Sequence, residues 1–333
     1  MKFTKITEAH SSFRDKLVYG FDTEAAAHDV ELKIINADTG ETIATKRLYG
    51  ISQGEVDIAP YLRRAVKSQL PPKVDGCGVV ECGMQCRVKV EADGVMSPVR
   101  RFIAARVNLS EPYTPLMTQI AQRTMACDEF DIITWFAHPE IVVEVVVESF
   151  GKGNESLTIK PSGVGQQAVA VSALDFSNSP TDLRATVWVD GVATTVVEYE
   201  IKPNLRGARR VAWLNDHLAP ELYTFPLRKS VLVKRVRKHM ESVWGREAAA
   251  LEGDNELKLI SAYEPQAQIK ALAGILSAQR LWLVEGGVPQ KVNLLTDRVL
   301  SSPGGKMGMI EVDIRAAEKK ILRRVEIEYS CKG

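Results

Sequence analysis

The sequence lacks any long apolar run. The longest such stretch, Ile141 to Val147, is interrupted by Glu144, and a spanning helix needs ~20 apolar residues. No membrane insertion is expected. The opening residues, Met1 to His10, contain no apolar segment of the kind that forms the core of a secretory signal. The chain is therefore expected to be made and kept in the cytoplasm. Cysteine is scarce and odd in number, at Cys77, Cys82, Cys86, Cys127 and Cys331. An odd count without a signal argues against a disulfide framework. Excess charge is also missing. Lys and Arg total 43 against 42 Asp and Glu, a formal net charge of +1. That balance supplies no whole-chain field to draw in nucleic acid or anionic lipid, and it leaves little repulsion between copies.

What is present is an ordinary globular composition in a long chain. The 45% hydrophobic content suffices for cores and excludes disorder along the whole length. At 333 residues, two or three domains are expected. The dominant local signal is alternating segments joined by Asp/Gly turns. Val30 to Ile35 meets Asp38-Thr39-Gly40 and returns through Thr42 to Thr45. Cys86 to Val90 meets Asp93-Gly94 and returns from Val99 to Val107. Arg184 to Val189 meets Asp190-Gly191 and returns from Val192 to Ile201. Asp and Gly tolerate the positive φ that tight hairpins require. Ile141 to Phe150 is rich in β-branched residues and reads as a strand apolar on both faces. Leu157 to Ile159 and Ala168 to Val171 read as further strands.

Two short helices are expected. Asp57 to Val66 has an acid near its start and Pro60 in its first turn. Glu264 to Ala278 carries Ile269, Leu272, Ala273 and Leu276 as one apolar stripe. The C-terminal third adds strands near Val231–Met240, Glu256–Ser261, Arg280–Val284, Lys291–Leu295 and Met309–Asp313. Boundaries fall near Ser110-Glu111-Pro112 and Lys202-Pro203-Asn204. The expected fold is mainly β. Two tandem β-sandwich domains of immunoglobulin or fibronectin type, 1–110 and 111–204, precede an α+β domain, 205–333, with one amphipathic helix.

Chemistry-bearing patterns are weak. Cys77, Cys82 and Cys86 lie close together, and Cys127 offers a fourth zinc ligand. Cys86, however, runs straight into a strand, and ordinary reduced thiols are expected. Ser302 to Gly308 has the glycines and lysine of a phosphate loop, but Met307 stands where a magnesium-holding hydroxyl belongs. Gly151 to Asn154 reads as a turn. His10, His28, His138, His217 and His239 show no metal-site spacing, and no G-x-S-x-G elbow is present. A carboxylate pair for glycoside hydrolysis is assembled only in three dimensions. Arg228-Lys229, Lys234-Arg235 and Arg237-Lys238-His239 form one basic cluster, read as a solvated or interfacial strand rather than a nucleic-acid groove. Trp213, Tyr223, Phe225, Tyr263 and Trp282 read as core of the C-terminal third. No catalytic, cofactor-binding or metal-binding residue is assigned, and no cofactor is expected.

A resemblance enters through the C-terminal third. Val211-Ala212-Trp213-Leu214-Asn215 followed by Tyr223-Thr224-Phe225 is similar to a pattern in tail proteins of Bacteroidetes phages and prophages. Leu259 to Tyr263 then leads into the helix, and Leu276 to Val284 resembles the phrase L-x-S-x-x-x-aromatic-L. Pro289 to Val292 and a last strand pair follow. Near the N-terminus, Gly54 to Leu62 resembles an Asp-Ile-Ser-x-x-Leu element of the same proteins. One departure is the loop Asp216 to Glu221, where the family usually has glycine.

The resemblance implies a structural or adaptor protein of a phage tail tip or baseplate, carrying no catalytic residues. Its expected partners are other tail proteins or further copies of itself, and its expected location after assembly is the virion tail. A host-surface glycan is the alternative partner. Aromatics exposed on one sheet face would favour a glycan-binding or adhesion protein.

Overall fold

The computed structural model describes residues 1–66, 70–71, 74–81, 85–105, 107, 111–117, 122–203, 205, 207–242, 245–299, 306–317 and 320–324. For 227–238, 240, 242, 247–255 and 320–324 it describes the backbone alone. The fold is mainly β, with two α-helices among the described residues. The chain divides into two compact units, Met1–Ile201 with Leu214–Glu221, and Lys202–Trp213 with Leu222–Gly333.

The first unit begins with β1 (Lys2–Lys5), β2 (His10–Ser12), β3 (Val18–Asp22), β4 (His28–Asn36), β5 (Thr42–Ile51) and β6 (Gln53–Asp57). Then come α1 (Ala59–Ala65), β7 (Gly78–Val80), β8 (Gln85–Ala92), β9 (Val95–Met96) and β10 (Arg100–Ile103). Two sheets form, β1-β3-β6 and β2-β10-β8-β4-β5, with β9 beside β8. Alternation sets the core. Val30, Leu32 and Ile34 of β4 and Val88 and Val90 of β8 are buried. Asp57 starts α1: its carboxylate accepts the Ala59 N–H at 3.0 Å and the Leu17 N–H at 2.9 Å. Pro60 fits the first turn, where no N–H partner is needed.

The unit continues with β11 (Tyr113–Pro115), β12 (Gln122–Ala126), β13 (Phe130–Ala137), β14 (Val143–Phe150), β15 (Asn154–Ile159), β16 (Gly165–Ser172), β17 (Asp182–Val189) and β18 (Val192–Lys202). Here the sheets run β11-β13-β16-β7 and β12-β18-β17-β14-β15. Val145, Val147, Trp135, Val169, Leu183 and Tyr199 meet in one core between them. The edge strand β7 comes from the connection between α1 and β8, so this sandwich borrows a strand from earlier in the chain.

The Asp/Gly hairpins form as the turn chemistry requires. Asp93 and Gly94 have φ of 45° and 80°, and Asp190 and Gly191 have 49° and 80°. Two consecutive positive values are the mark of the type I′ turn. One expectation needs correction. Ile141 to Phe150 is not buried on both faces, because β14 alternates strictly between buried and half-buried positions. β13, by contrast, is buried at every position. Its second face joins Phe136 to Ile103, Ala105, Leu116 and Ala219 in a smaller cluster.

The second unit contains β19 (Arg209–Leu214) and β20 (Pro220–Phe225), except that Leu214, Pro220 and Glu221 fall in the first unit, and then β21 (Leu227–Ser242), β22 (Gly245–Ile260), β23 (Glu264–Pro265), α2 (Gln266–Leu272), a 3₁₀ turn (Ala273–Ser277), β24 (Leu281–Glu285), β25 (Val288–Leu294), β26 (Met307–Gly308), β27 (Glu311–Ala316) and β28 (Lys320–Arg324). One sheet runs β20-β19-β24-β25-β27-β22-β21, with β28 also on β22. The expected helix over Glu264 to Ala278 is thus an α-helix that tightens. Its buried aliphatic residues are Ile269, Leu272 and Ile275, in place of the expected Ala273 and Leu276. A 3₁₀ turn has three residues per turn, which brings i+3 and i+6 onto the face of i.

Candidate functional site

The cysteine cluster is taken apart by the fold. Cys77 precedes β7 on one sheet, while Cys86 lies on β8 in another. The Cys77 thiol donates to the Ser172 carbonyl at 3.3 Å and accepts the Ser172 N–H at 3.2 Å. It therefore pins the borrowed strand to β16. Burial pushes the Cys77 thiol up to about 11 and the Cys86 thiol to about 12. Cys127 is exposed. Cys82 and Cys331 lie outside the described residues. Among the described residues, no three His, Cys, Asp or Glu side chains converge as metal ligands do.

Of the glycine-rich loop, residues 302–305 lie outside the described residues. Lys306 accepts the Gln266 N–H through its carbonyl at 3.3 Å, and Met307-Gly308 pairs with Glu264-Pro265. This ties the loop's end to the start of α2. Gly151 to Gly153 closes the β14–β15 hairpin, where Phe150 faces Asn154.

Two histidines distant in sequence meet in space. The rings of His10 and His138 lie edge-to-face with centroids 5.9 Å apart. Burial, then Arg101, His138 and Arg100, hold the His10 pKa below its ordinary value. His28 is raised instead, first by its bond to the Ala26 carbonyl and then by Asp93, whose carboxylate lies 2.9 Å away.

A buried charge network lies in the first unit. Arg123 of β12 donates to Asp131 of β13 at 2.7 Å, and its other terminal nitrogen lies 3.7 Å from Glu221. Asn215 donates to Glu221 at 2.7 Å and to the Leu116 carbonyl at 2.6 Å. The Asn215 side-chain oxygen accepts the N–H groups of His217 and Ala219. Burial alone would lower the Arg123 pKa, but Asp131, Tyr199 and Glu221 overcome that and raise it. The Asn of the Leu-Asn motif is thus the organiser of a turn. Glu221, near the start of β20, supplies a buried carboxylate. The sequence gives no local signal for this network, because its charges come from separate segments.

The C-terminal aromatics divide. Trp213, Tyr223, Phe225 and Trp282 are buried, whereas Tyr263 is 64% exposed. Tyr223 stacks edge-on against Phe225 at 5.0 Å. Its hydroxyl donates to Glu264 at 2.8 Å and accepts the Ala262 N–H at 3.0 Å. Burial and then Glu264 raise the Tyr223 pKa, which keeps the phenol protonated as the donor.

The basic cluster Arg228 to His239 lies along β21. That strand pairs with β22 over its length and stands last in its sheet. Sixteen residues at about 3.4 Å each make it roughly 50 Å long. On the other side of β22, β27 covers Glu256 to Ile260 and β28 covers Ala250 to Gly253. Beyond that, toward Ser242 and Gly245, the ribbon is two-stranded among the described residues.

No helix among the described residues is long and apolar enough to cross a membrane. No family model matches the sequence, and no curated protein is similar to it. Among solved structures, a marsupial T cell receptor chain is similar over 93% of this chain and 91% of its own, at 8% identity and a TM-score of 0.17.

Proposed function

We propose that this chain is a non-enzymatic structural or adaptor protein that works by assembly, in the tail tip or baseplate of a phage or prophage. The observation that carries the reading is β21. A strand of 16 residues at the end of a sheet presents a long row of backbone donors and acceptors to any strand that meets it. A two-stranded ribbon is marginal by itself in water, so the distal part of β21–β22 gains most from a neighbour. The sequence of this segment is rich in lysine and arginine, residues that in general oppose indiscriminate edge pairing and favour a partner of opposite charge. The order of short motifs from Gly54 to Val292 supports the tail setting.

Sedimentation velocity of the purified chain, alone and mixed with each protein encoded beside its gene, tests this. The expected result is a complex of fixed stoichiometry, with tail-tube, tape-measure or lysis genes among the neighbours. A chain that stays monomeric in every mixture, or that sits among sugar-uptake and glycosidase genes, overturns the proposal.

A further inference from the structure

We propose that the outer face of the β12-β18-β17-β14-β15 sheet is a binding platform for a neutral glycan, centred on Trp188. This does not depend on the assembly role of β21, which lies in the other unit.

The inner face of this sheet is committed to the core through Val145, Val147, Ala185 and Val187. The intervening positions therefore point outward. Trp188 is among them, and it is 37% exposed, whereas Trp135 and Trp213 are fully buried. Its cross-strand neighbours are Glu144 on β14 and Ala193 on β18. Alanine is too short to cover an indole, so that flank stays open. On the other flank, Glu144 stands opposite Trp188 and pairs at the surface with Lys160 at 2.7 Å, which puts an acceptor on the strand next to the ring. One row away, Val146, Thr186 and Val196 are cross-strand neighbours. Beyond them Arg184 donates to Glu198 at 3.0 Å.

This is the chemistry a sugar ring asks for. The C–H face of a pyranose carries slight positive charge and stacks on the negative face of an indole. Its hydroxyls, which ring its edge, need oriented carboxylate and guanidinium partners close by. A sheet face with one indole 37% exposed, a short neighbour and a carboxylate on the next strand offers both at once. The charges select among sugars. Glu144, Glu148, Asp182 and Glu198 outnumber Lys160 and Arg184 on this face, which disfavours sialic and uronic acids and favours neutral saccharides.

The test uses the full chain on a printed array of neutral gluco-, manno-, galacto- and N-acetylglucosamine oligosaccharides, with sialylated and uronic ones alongside. The best neutral glycan is then titrated calorimetrically against Trp188→Ala, Trp188→Phe and Glu144→Gln. Trp188→Ala is expected to weaken binding about tenfold or more, and Trp188→Phe to recover most of it. Glu144→Gln is expected to weaken it less. Unchanged circular dichroism identifies a folded variant. Three results overturn the proposal: no neutral glycan bound, binding untouched by Trp188→Ala, or a Trp188→Ala chain whose change is lost self-association. The last would make this face an interface between copies.

Discussion

Arg123 Nη1 lies 2.7 Å from Asp131 Oδ2, and their side chains are 3% and 1% exposed. With Glu221 at 0% beside them, one cation faces two carboxylates away from water. Removing the cation leaves uncompensated buried charge, the costly way to break such a cluster. Arg123→Met is therefore expected to destabilise the protein by about 3–5 kcal/mol. The triple variant Arg123→Met, Asp131→Leu, Glu221→Met is expected to recover most of that loss, since no charge is then stranded. Urea denaturation of the three proteins checks both statements.

Two glycines with positive φ are expected to respond differently to alanine. Gly191 has φ of +80°, and a methyl group added there would meet open space. Gly191→Ala thus costs only backbone strain, about 1 kcal/mol. Gly165 has φ of +96°, and its Cβ would come within 2.5 Å of the Gln85 side-chain oxygen and 3.0 Å of Arg101 Cδ. That oxygen accepts the Gln166 N–H at 3.2 Å. Gly165→Ala must therefore displace a bonded group as well. It is expected to lower the melting temperature more than Gly191→Ala, and thermal unfolding of the pair reads the order directly.

Thiol reactivity is expected to follow exposure and thiolate content. Cys127 is exposed, while burial pushes the Cys77 and Cys86 thiols to about 11 and about 12. The thiolate is the nucleophile, so near pH 8 the buried pair offers almost none. Iodoacetamide followed by peptide mass spectrometry is expected to find Cys127 labelled in the folded protein. Cys77 and Cys86 are expected to label only in denaturant. Early labelling of Cys77 would mean that β7 detaches readily from β16.

His10 and His28 are expected to pull stability in opposite directions with pH. The folded His10 pKa is lowered, so its contribution is intact above the unfolded value of 6.5 and is lost as pH falls through the lowered folded value. The folded His28 pKa is raised, so its contribution is full below 6.5 and is lost as pH rises through the raised value. His10→Gln is expected to flatten the acid side of the stability curve. His28→Asn is expected to remove a gain that the parent shows on acidification. Melting temperatures across pH 5 to 8 separate the two.

Much of the β architecture was legible because it is local. Asp93-Gly94 and Asp190-Gly191 sit between alternating runs, and turn chemistry with period two needs no tertiary information. Where tertiary pairing decides, legibility ended. Arg246 to Ala250 is made of residues poor in β propensity, so a strand start at Glu256 reads naturally, yet the chain enters β22 at Gly245 by pairing with β21. The stretch Gly78 to Val80 is too short to announce itself and is a strand only because β16 lies open to it. Neither periodicity nor propensity joins Arg123 to Glu221 or His10 to His138. Trp188 could be placed on a strand, but its exposure follows from Ala193 opposite it, which only the register reveals.

The edge of β21 can be separated from its role in the ribbon by proline at adjacent positions. In an antiparallel pair, successive residues direct their N–H and carbonyl alternately to the partner strand and away from it. Val233 pairs with Asn255 and Lys234 with Asp254, within a stretch free of register shifts. One of these two therefore bonds to β22, and the other faces outward. Proline at the bonded position removes a ladder bond and is expected to destabilise the second unit by about 1–3 kcal/mol. Proline at the outward position leaves the ladder intact but blocks a strand adding to the edge. If assembly uses this edge, one of Val233→Pro and Lys234→Pro melts like the parent yet fails to assemble in sedimentation velocity. If the variant with parental stability also assembles like the parent, the edge of β21 is not the assembly surface.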